Sequence, residues 1–239
     1  MQMTKRKKIC FLWIILVLAG LSFPGHGMSA QPMGLENRLT QCAAVMREIM
    51  EAPDGSIPSD LLRKSRAIII LPSVIKAGFG LGGHYGKGIV LRRDPATGRW
   101  GPPAFMRLLG GSVGWQVGVQ STDMVLLVMN DVSLRSLFRD KFTLGVDGSV
   151  AVGPVGRDAS AATDLGLSAG ILSYSRAKGI FAGVSIKGSM LEVDWDANES
   201  YYGSDLSIID IFFNAKGTVS PAAKKLIRLL NRYGSKRKR

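Results

Sequence analysis

The chain has 239 residues, 46% of them hydrophobic, 21% charged and 8% aromatic, with 29 Gly and two Cys. These proportions exclude a disordered chain, a collagen and a disulfide scaffold. The formal charge is +13, but all 18 acids lie between Glu36 and Asp210, while four cations precede Ile9 and eight follow Pro221, so the body is near neutral and nucleic acid is not an expected partner.

Lys5, Arg6, Lys7 and Lys8 form a positive segment, Ile9 to Leu21 an apolar run of 13 residues, and Ser22 to Ala30 a stretch with small residues suited to cleavage. Residues 1–30 therefore read as a secretory signal peptide, or as an anchor if cleavage fails. The run is shorter than the roughly 20 apolar residues that a spanning helix needs. The expected location is exported, periplasmic or secreted, peripheral to a membrane. Past residue 30, one cysteine (Cys42) and one histidine (His84) are left, so no disulfide within the mature chain is expected.

Residues 31–220 contain no linker-like stretch and read as one domain, followed by a basic segment at 221–239. Leu35, Leu39, Cys42, Met46 and Ile49 recur at helical spacing, with Glu36, Arg47 and Glu51 turned away, which predicts an amphipathic helix ending before Pro53. From Ala67 onward the apolar stretches shorten to five to nine residues between Gly, Pro and Asp, the pattern of successive strands. In GGSVGWQVGVQ, Val113, Trp115, Val117 and Val119 share one face. MVLLVMN is a further strand, leading into a short helix capped by Asn130 or Asp131, with Leu134, Leu137 and Phe138 inward. FTLGV, SVAVG, AGILSYS, GIFAGVSI and SMLEVDW complete the strands.

Glycine at alternate positions (Gly78, Gly80, Gly82; Gly114, Gly118) marks bends or close backbone approach in a curved sheet. The fold class expected is α+β: a curved antiparallel sheet, barrel-like or sandwich, with an N-terminal helix, one or two inserted helices and a C-terminal basic helix.

Several motifs invite chemistry. GFGLGG at Gly78 to Gly83 has the spacing of a dinucleotide fingerprint, but strand rather than helix follows it, so it reads as glycine in a curved strand. DWDAN places Asp194, Asp196 and Asn198 at calcium-loop positions, with Glu199 where that loop needs glycine; an acidic turn at a strand end is the better reading. With one His and one Cys, neither near a second metal-type ligand, no metal, cofactor or catalytic residue is expected. GPVGRD at Gly153 to Asp158 is a tight turn in which Arg157 meets either an anion or a neighbouring acid.

In PAAKKLIRLLNRYGSKRKR, Leu226, Leu229, Leu230 and Tyr233 form one stripe, and Lys225, Arg228 and Arg232 another. This helix either docks its leucines on the domain and trails a solvated tail, or presents its cations to anionic lipid at roughly 1 kcal/mol per charge near the surface. The candidate lipid contacts are Lys224, Lys225, Arg228, Arg232, Lys236 and Arg237, joined by Lys76, Lys87, Arg157, Arg176 and Lys178 at strand ends.

LLRKSRAIIILPSVIKAGFGLGG, GRWGPPAFMRLLGGSVGWQVGVQ, FTLGVDGSVAVGPVGRDA and SYSRAKGIFAGVSIKGSMLEVDWDAN with the following YYG closely resemble the SYLF domain family. The resemblance runs from about Leu35 to Asn214, and IKAGF, GPVGR and SRAKGIFAGVS are its most specific motifs. It implies a phosphoinositide- or anionic-lipid-binding module without catalytic activity, with actin binding in some fungal members. Acidic phospholipids are the expected partner of an exported member. The alternative is a structural or protein-interaction module whose cationic tail meets an acidic partner.

Overall fold

The computed structural model describes residues 34–52, 56–138, 141–155, 169–177, 180–181, 186–204 and 206–235. In chain order the elements are helices α1 (Leu35–Glu51) and α2 (Ser59–Lys64), strands β1 (Ala67–Arg93) and β2 (Trp100–Val128), helix α3 (Asp131–Ser136), and strands β3 (Phe142–Thr143), β4 (Val150–Val152), β5 (Ile171–Ala177), β6 (Ile180–Phe181) and β7 (Met190–Val193). Helices α4 (Trp195–Tyr202), α5 (Ile208–Phe212) and α6 (Pro221–Gly234) follow. The class is α+β, as expected, with four short helices between the terminal pair among the described residues.

β1 and β2 form one antiparallel hairpin, paired from Ala67 with Val128 to Arg93 with Trp100. At its tip, Asp94 Oδ1 accepts from the N–H groups of Ala96 and Thr97, and Gly98 takes a φ of 68°. The free edge of β2 pairs with β7 over Met106–Leu109 and with β5 over Asp123–Val128; β3 extends the β7 side, and β6 also pairs with β5. One pair departs from the antiparallel pattern: β4 runs parallel to β5.

The separate short strands expected from Ala67 onward are instead two strands of 27 and 29 residues. Glycine and proline bend these strands without ending them, because the bulge sites fall at Leu71/Val74, which encloses Pro72, and at Gly78/Gly80. At the first, Ser73 adopts a φ of 51° and its N–H donates to Asp123 Oδ1 at 2.8 Å.

A straight strand of this length would reach about 90 Å. This one curls until its ends meet, and the Arg93 N–H donates to the Arg66 carbonyl at 2.8 Å. Where β1 passes over itself, a Cβ on Gly88 would overlap the Ile70 carbonyl oxygen. Gly88→Ala therefore forces backbone apart and is expected to cost about 1–3 kcal/mol, the usual penalty of overpacking. A urea midpoint unchanged by this substitution would contradict the self-crossing.

Both faces of the sheet are covered, which explains the unbroken apolar run AIIIL. Ile68 and Ile70 join Phe105, Val125, Leu127 and Leu172 in a core beneath α1, α2 and α6. Ile69 and Leu71 point to the other side, into the hollow of the curl with Met106, Leu108, Leu126, Phe142 and the α5 residues Ile211 and Phe212. Asn130 caps α3, accepting from the Ser133 N–H at 2.8 Å, and Leu134 and Leu137 are buried as expected.

Candidate functional site

α6 begins at a proline, and the Ser220 hydroxyl accepts from the Ala223 N–H at 3.2 Å. Ala223, Leu226, Leu229 and Leu230 are buried against the sheet, and Tyr233 is partly so. The helix is thus held by its apolar stripe, while Lys224, Lys225, Arg228 and Arg232 face solvent.

α1 packs beside α6 in the same direction. Leu35 and Glu36 share a groove with Ser220 at one end, and Glu51 stands beside Tyr233 at the other. Burial raises the Tyr233 hydroxyl above its usual phenol range and the Glu51 carboxylate adds to this, while Arg47 and Arg232 offset it in part. Those two guanidiniums therefore lie near one another at the C-terminal end of the helix pair.

The charges of α1 are divided by their surroundings. Arg38 is 3% exposed and bonded through Nη1 to Asp194 Oδ2 at 2.9 Å, with its guanidinium over the Phe105 ring. Glu48 pairs with Arg176 of β5 at 3.0 Å. Arg47 is exposed and joins Lys225, Arg228 and Arg232 around an open groove of about 330 Å³ floored by Leu229. Among the described residues no carboxylate lines this groove, and none of its four cations forms an ion pair.

Among the described residues, the other predicted contacts stand in separate surroundings. Lys76 lines a cavity of about 10 Å³ with His84, Gln120, Thr122 and Ile186. Lys87, three residues past His84 and so on the opposite face of β1, lies across from Arg107, which is bonded to Glu192 at 2.9 Å. Arg176 is engaged by Glu48. Arg157, Lys178, Lys236 and Arg237 lie outside the described residues, as does the second half of the GPVGRD turn.

DWDAN does not form a loop. Strand β7 stops at Val193 and helix α4 opens at Trp195, with Asp194 held by Arg38. The Asn198 side chain accepts from the Phe105 N–H and donates to the Phe105 carbonyl, each at 2.9 Å. Both groups are consumed in fastening α1 and α4 to β2. Cys42 is fully buried against the Ile70 carbonyl, and burial raises its thiol far above the ordinary range, which opposes thiolate chemistry.

His84 Nε2 lies 2.6 Å from Ser189 Oγ, whose hydroxyl donates to the Ile186 carbonyl; Nε2 therefore carries the proton given to Ser189. Burial lowers the His84 pKa first, and the Lys76 charge lowers it further. With the folded value depressed, the unfolded chain binds the extra proton, so this contribution to stability is complete above about pH 6.5 and falls as pH drops below it. Urea midpoints at about pH 8 and pH 5.5 should fall more in the wild type than in His84→Gln. Equal loss in the two would contradict this assignment.

Residues 109–233 match the family model Ysc84, described as Las17-binding protein actin regulator. The chain is 34% identical over 212 residues to the SH3 domain-containing YSC84-like protein 1 of Homo sapiens, covering 86% of this chain and 61% of that protein. It belongs to the Ysc84 family. Similarity extends to Protein YSC84 of Saccharomyces cerevisiae, 33% identical over 208 residues, and to LAS seventeen-binding protein 3 of the same species, 30% over 207 residues; each match covers 83% of this chain and 44% of the relative. The chain thus spans between under half and about three-fifths of the Ysc84-family relatives it matches. The match confirms the family that the sequence resembles.

The groove residue that sequence reasoning missed is Arg47. In sequence it is one outward charge on a helix with more acids than bases. Only the pairing of Glu48 with Arg176 and of Arg38 with Asp194 leaves it as the cation facing α6.

Proposed function

We propose that this Ysc84-family chain is a non-enzymatic module that binds anionic phospholipid surfaces, with the α1/α6 groove and the basic tail after it as the electrostatic contact. The supporting observation is the groove itself: Arg47, Lys225, Arg228 and Arg232 converge from two helices, exposed and without a carboxylate in the lining among the described residues. Cations concentrated on one surface are drawn to an anionic leaflet, whereas the near-neutral body gives little competing attraction. The leader-like pattern from Lys5 to Ala30 supports an exported, envelope location in which acidic phospholipids are the surface available.

Co-sedimentation with phosphatidylcholine vesicles, with and without phosphatidylglycerol, tests this reading. Binding is expected only to the anionic vesicles and should weaken as salt rises. Truncation of α6 is the wrong probe, because Leu226 and Leu230 are core residues; charge substitutions keep the fold. The family description names a protein partner, which favours a second reading: a protein whose surface would have to be acidic to meet the same cations. Failure to bind any anionic vesicle would select that reading over lipid.

A further inference from the structure

An open cleft of about 260 Å³ lies where the tip of the β1–β2 hairpin meets the end of α5. Arg92, Asp94, Thr97 and Arg99 line it from the hairpin, and Phe212, Phe213 and Asn214 from the α5 side. It shares no residue with the α1/α6 groove.

The Arg92 guanidinium is held in place before any ligand arrives. Its Nη1 donates to the Phe213 carbonyl at 2.9 Å, and its Cζ stands 5.1 Å from the centre of the Phe213 ring. A guanidinium carries five N–H donors in a fixed fork, so that one bond leaves most of them available. Arg99 is exposed, and its guanidinium forms no hydrogen bond or ion pair among the described residues. The acid in the lining, Asp94, is spent on the turn, with Oδ1 accepting from the Ala96 and Thr97 N–H groups. Those of Thr97 and then Ala96 hold its carboxyl below the usual range, and the Arg92 charge adds to this.

Two cations against one acid leave this lining with a net charge of +1. That balance suits one negative charge. A phosphate monoester would bring a second charge against Asp94, whereas a carboxylate matches a guanidinium fork in both charge and planar shape. Beside these donors Phe213 is half-buried, and the buried Trp100 and Phe212 complete the apolar part of the lining. A few fixed polar groups next to apolar rings orient a ligand by its charge and gain contact area from its apolar part. The volume lies just under the roughly 300–1,000 Å³ of drug-sized sites, so the ligand is small.

We infer that the cleft between the hairpin tip and α5 binds a small apolar monocarboxylate, as presented by a free organic acid or by the C-terminal residue of a peptide. Arg92 orients the carboxylate, Arg99 meets it from the exposed side, and Phe213 receives the apolar group. The site is independent of the lipid reading, and failure of either leaves the other standing.

Protein-observed NMR on the full chain, titrated with N-acetylphenylalanine, tests this. The amide signals of Thr97, Gly101 and Asn214 should shift saturably. N-acetylphenylalaninamide has the same shape without the charge and should bind at least tenfold more weakly, the value of hydrogen bonds to a charged group. Arg99→Gln should weaken binding of the acid about fivefold while keeping the wild-type urea midpoint, as befits an exposed ion pair. Arg135→Gln, an exposed cation on α3, should leave binding unchanged. 3-Phenylpropionate, which lacks the peptide group, separates the sources. If it binds as well as N-acetylphenylalanine, the site takes free acids; if only the acetylated amino acid binds, the site takes peptide C-termini. Equal binding of acid and amide, affinity for the acid unaltered by Arg99→Gln, or no saturable shift at Thr97, Gly101 and Asn214 overturns the site.

Discussion

Asp194→Ala destabilises the domain by about 3–5 kcal/mol, the cost of leaving one member of a buried ion pair without its partner. The side chains of Arg38 and Asp194 are 3% and 5% exposed. Arg38 Nε already has no partner among the described residues, so after loss of the carboxylate the guanidinium would keep only its contact with the Phe105 ring. The same locus carries the bonds of Asn198 to Phe105 and of the Asp194 N–H to the Phe105 carbonyl. It fastens α1, α4 and β2 at one point.

A double substitution, Arg38→Met with Asp194→Ala, should recover much of the loss, because an apolar pair removes the buried charge as well as the bond. Urea unfolding of the three variants measures this. If Asp194→Ala is as mild as a surface substitution, or if the double variant is no better than the single, the pair is not the clamp described. The effect reaches function, since Arg47 lies nine residues along the helix that Arg38 anchors. A loosened α1 would withdraw one side of the groove.

The two terminal helices were legible in sequence because each is fixed by a local pattern: leucines at helical spacing, a Ser-Pro start on α6 and a Pro-Asp-Gly stop after α1. The curved sheet was legible for a similar reason, through its glycines. Strand lengths were not. A glycine or proline that ends a strand and one that bends it look alike until the partner register is known, and here Pro72 and Gly78 lie at bulges inside a continuous hairpin. In sequence, Asp194 and Trp195 read as strand because the apolar alternation of MLEV runs into them. The helix starts there because Arg38, 156 residues away, takes the aspartate. Long-range pairing likewise decided the site, by neutralising Arg176 and leaving Arg47 exposed.

The salt-dependent partition of the full chain onto phosphatidylglycerol-containing vesicles, measured for the wild type and for a variant with Arg47, Lys225, Arg228 and Arg232 all changed to glutamine, tests the central claim most directly. All four positions are exposed, so the variant should unfold at the wild-type urea concentration. At about 1 kcal/mol per cation near the membrane, it should bind roughly a thousandfold more weakly at low salt. The difference should shrink as ionic strength shortens the screening length to about 8 Å at 0.15 M. Wild-type affinity retained by the folded variant would contradict the claim that this groove is the lipid contact.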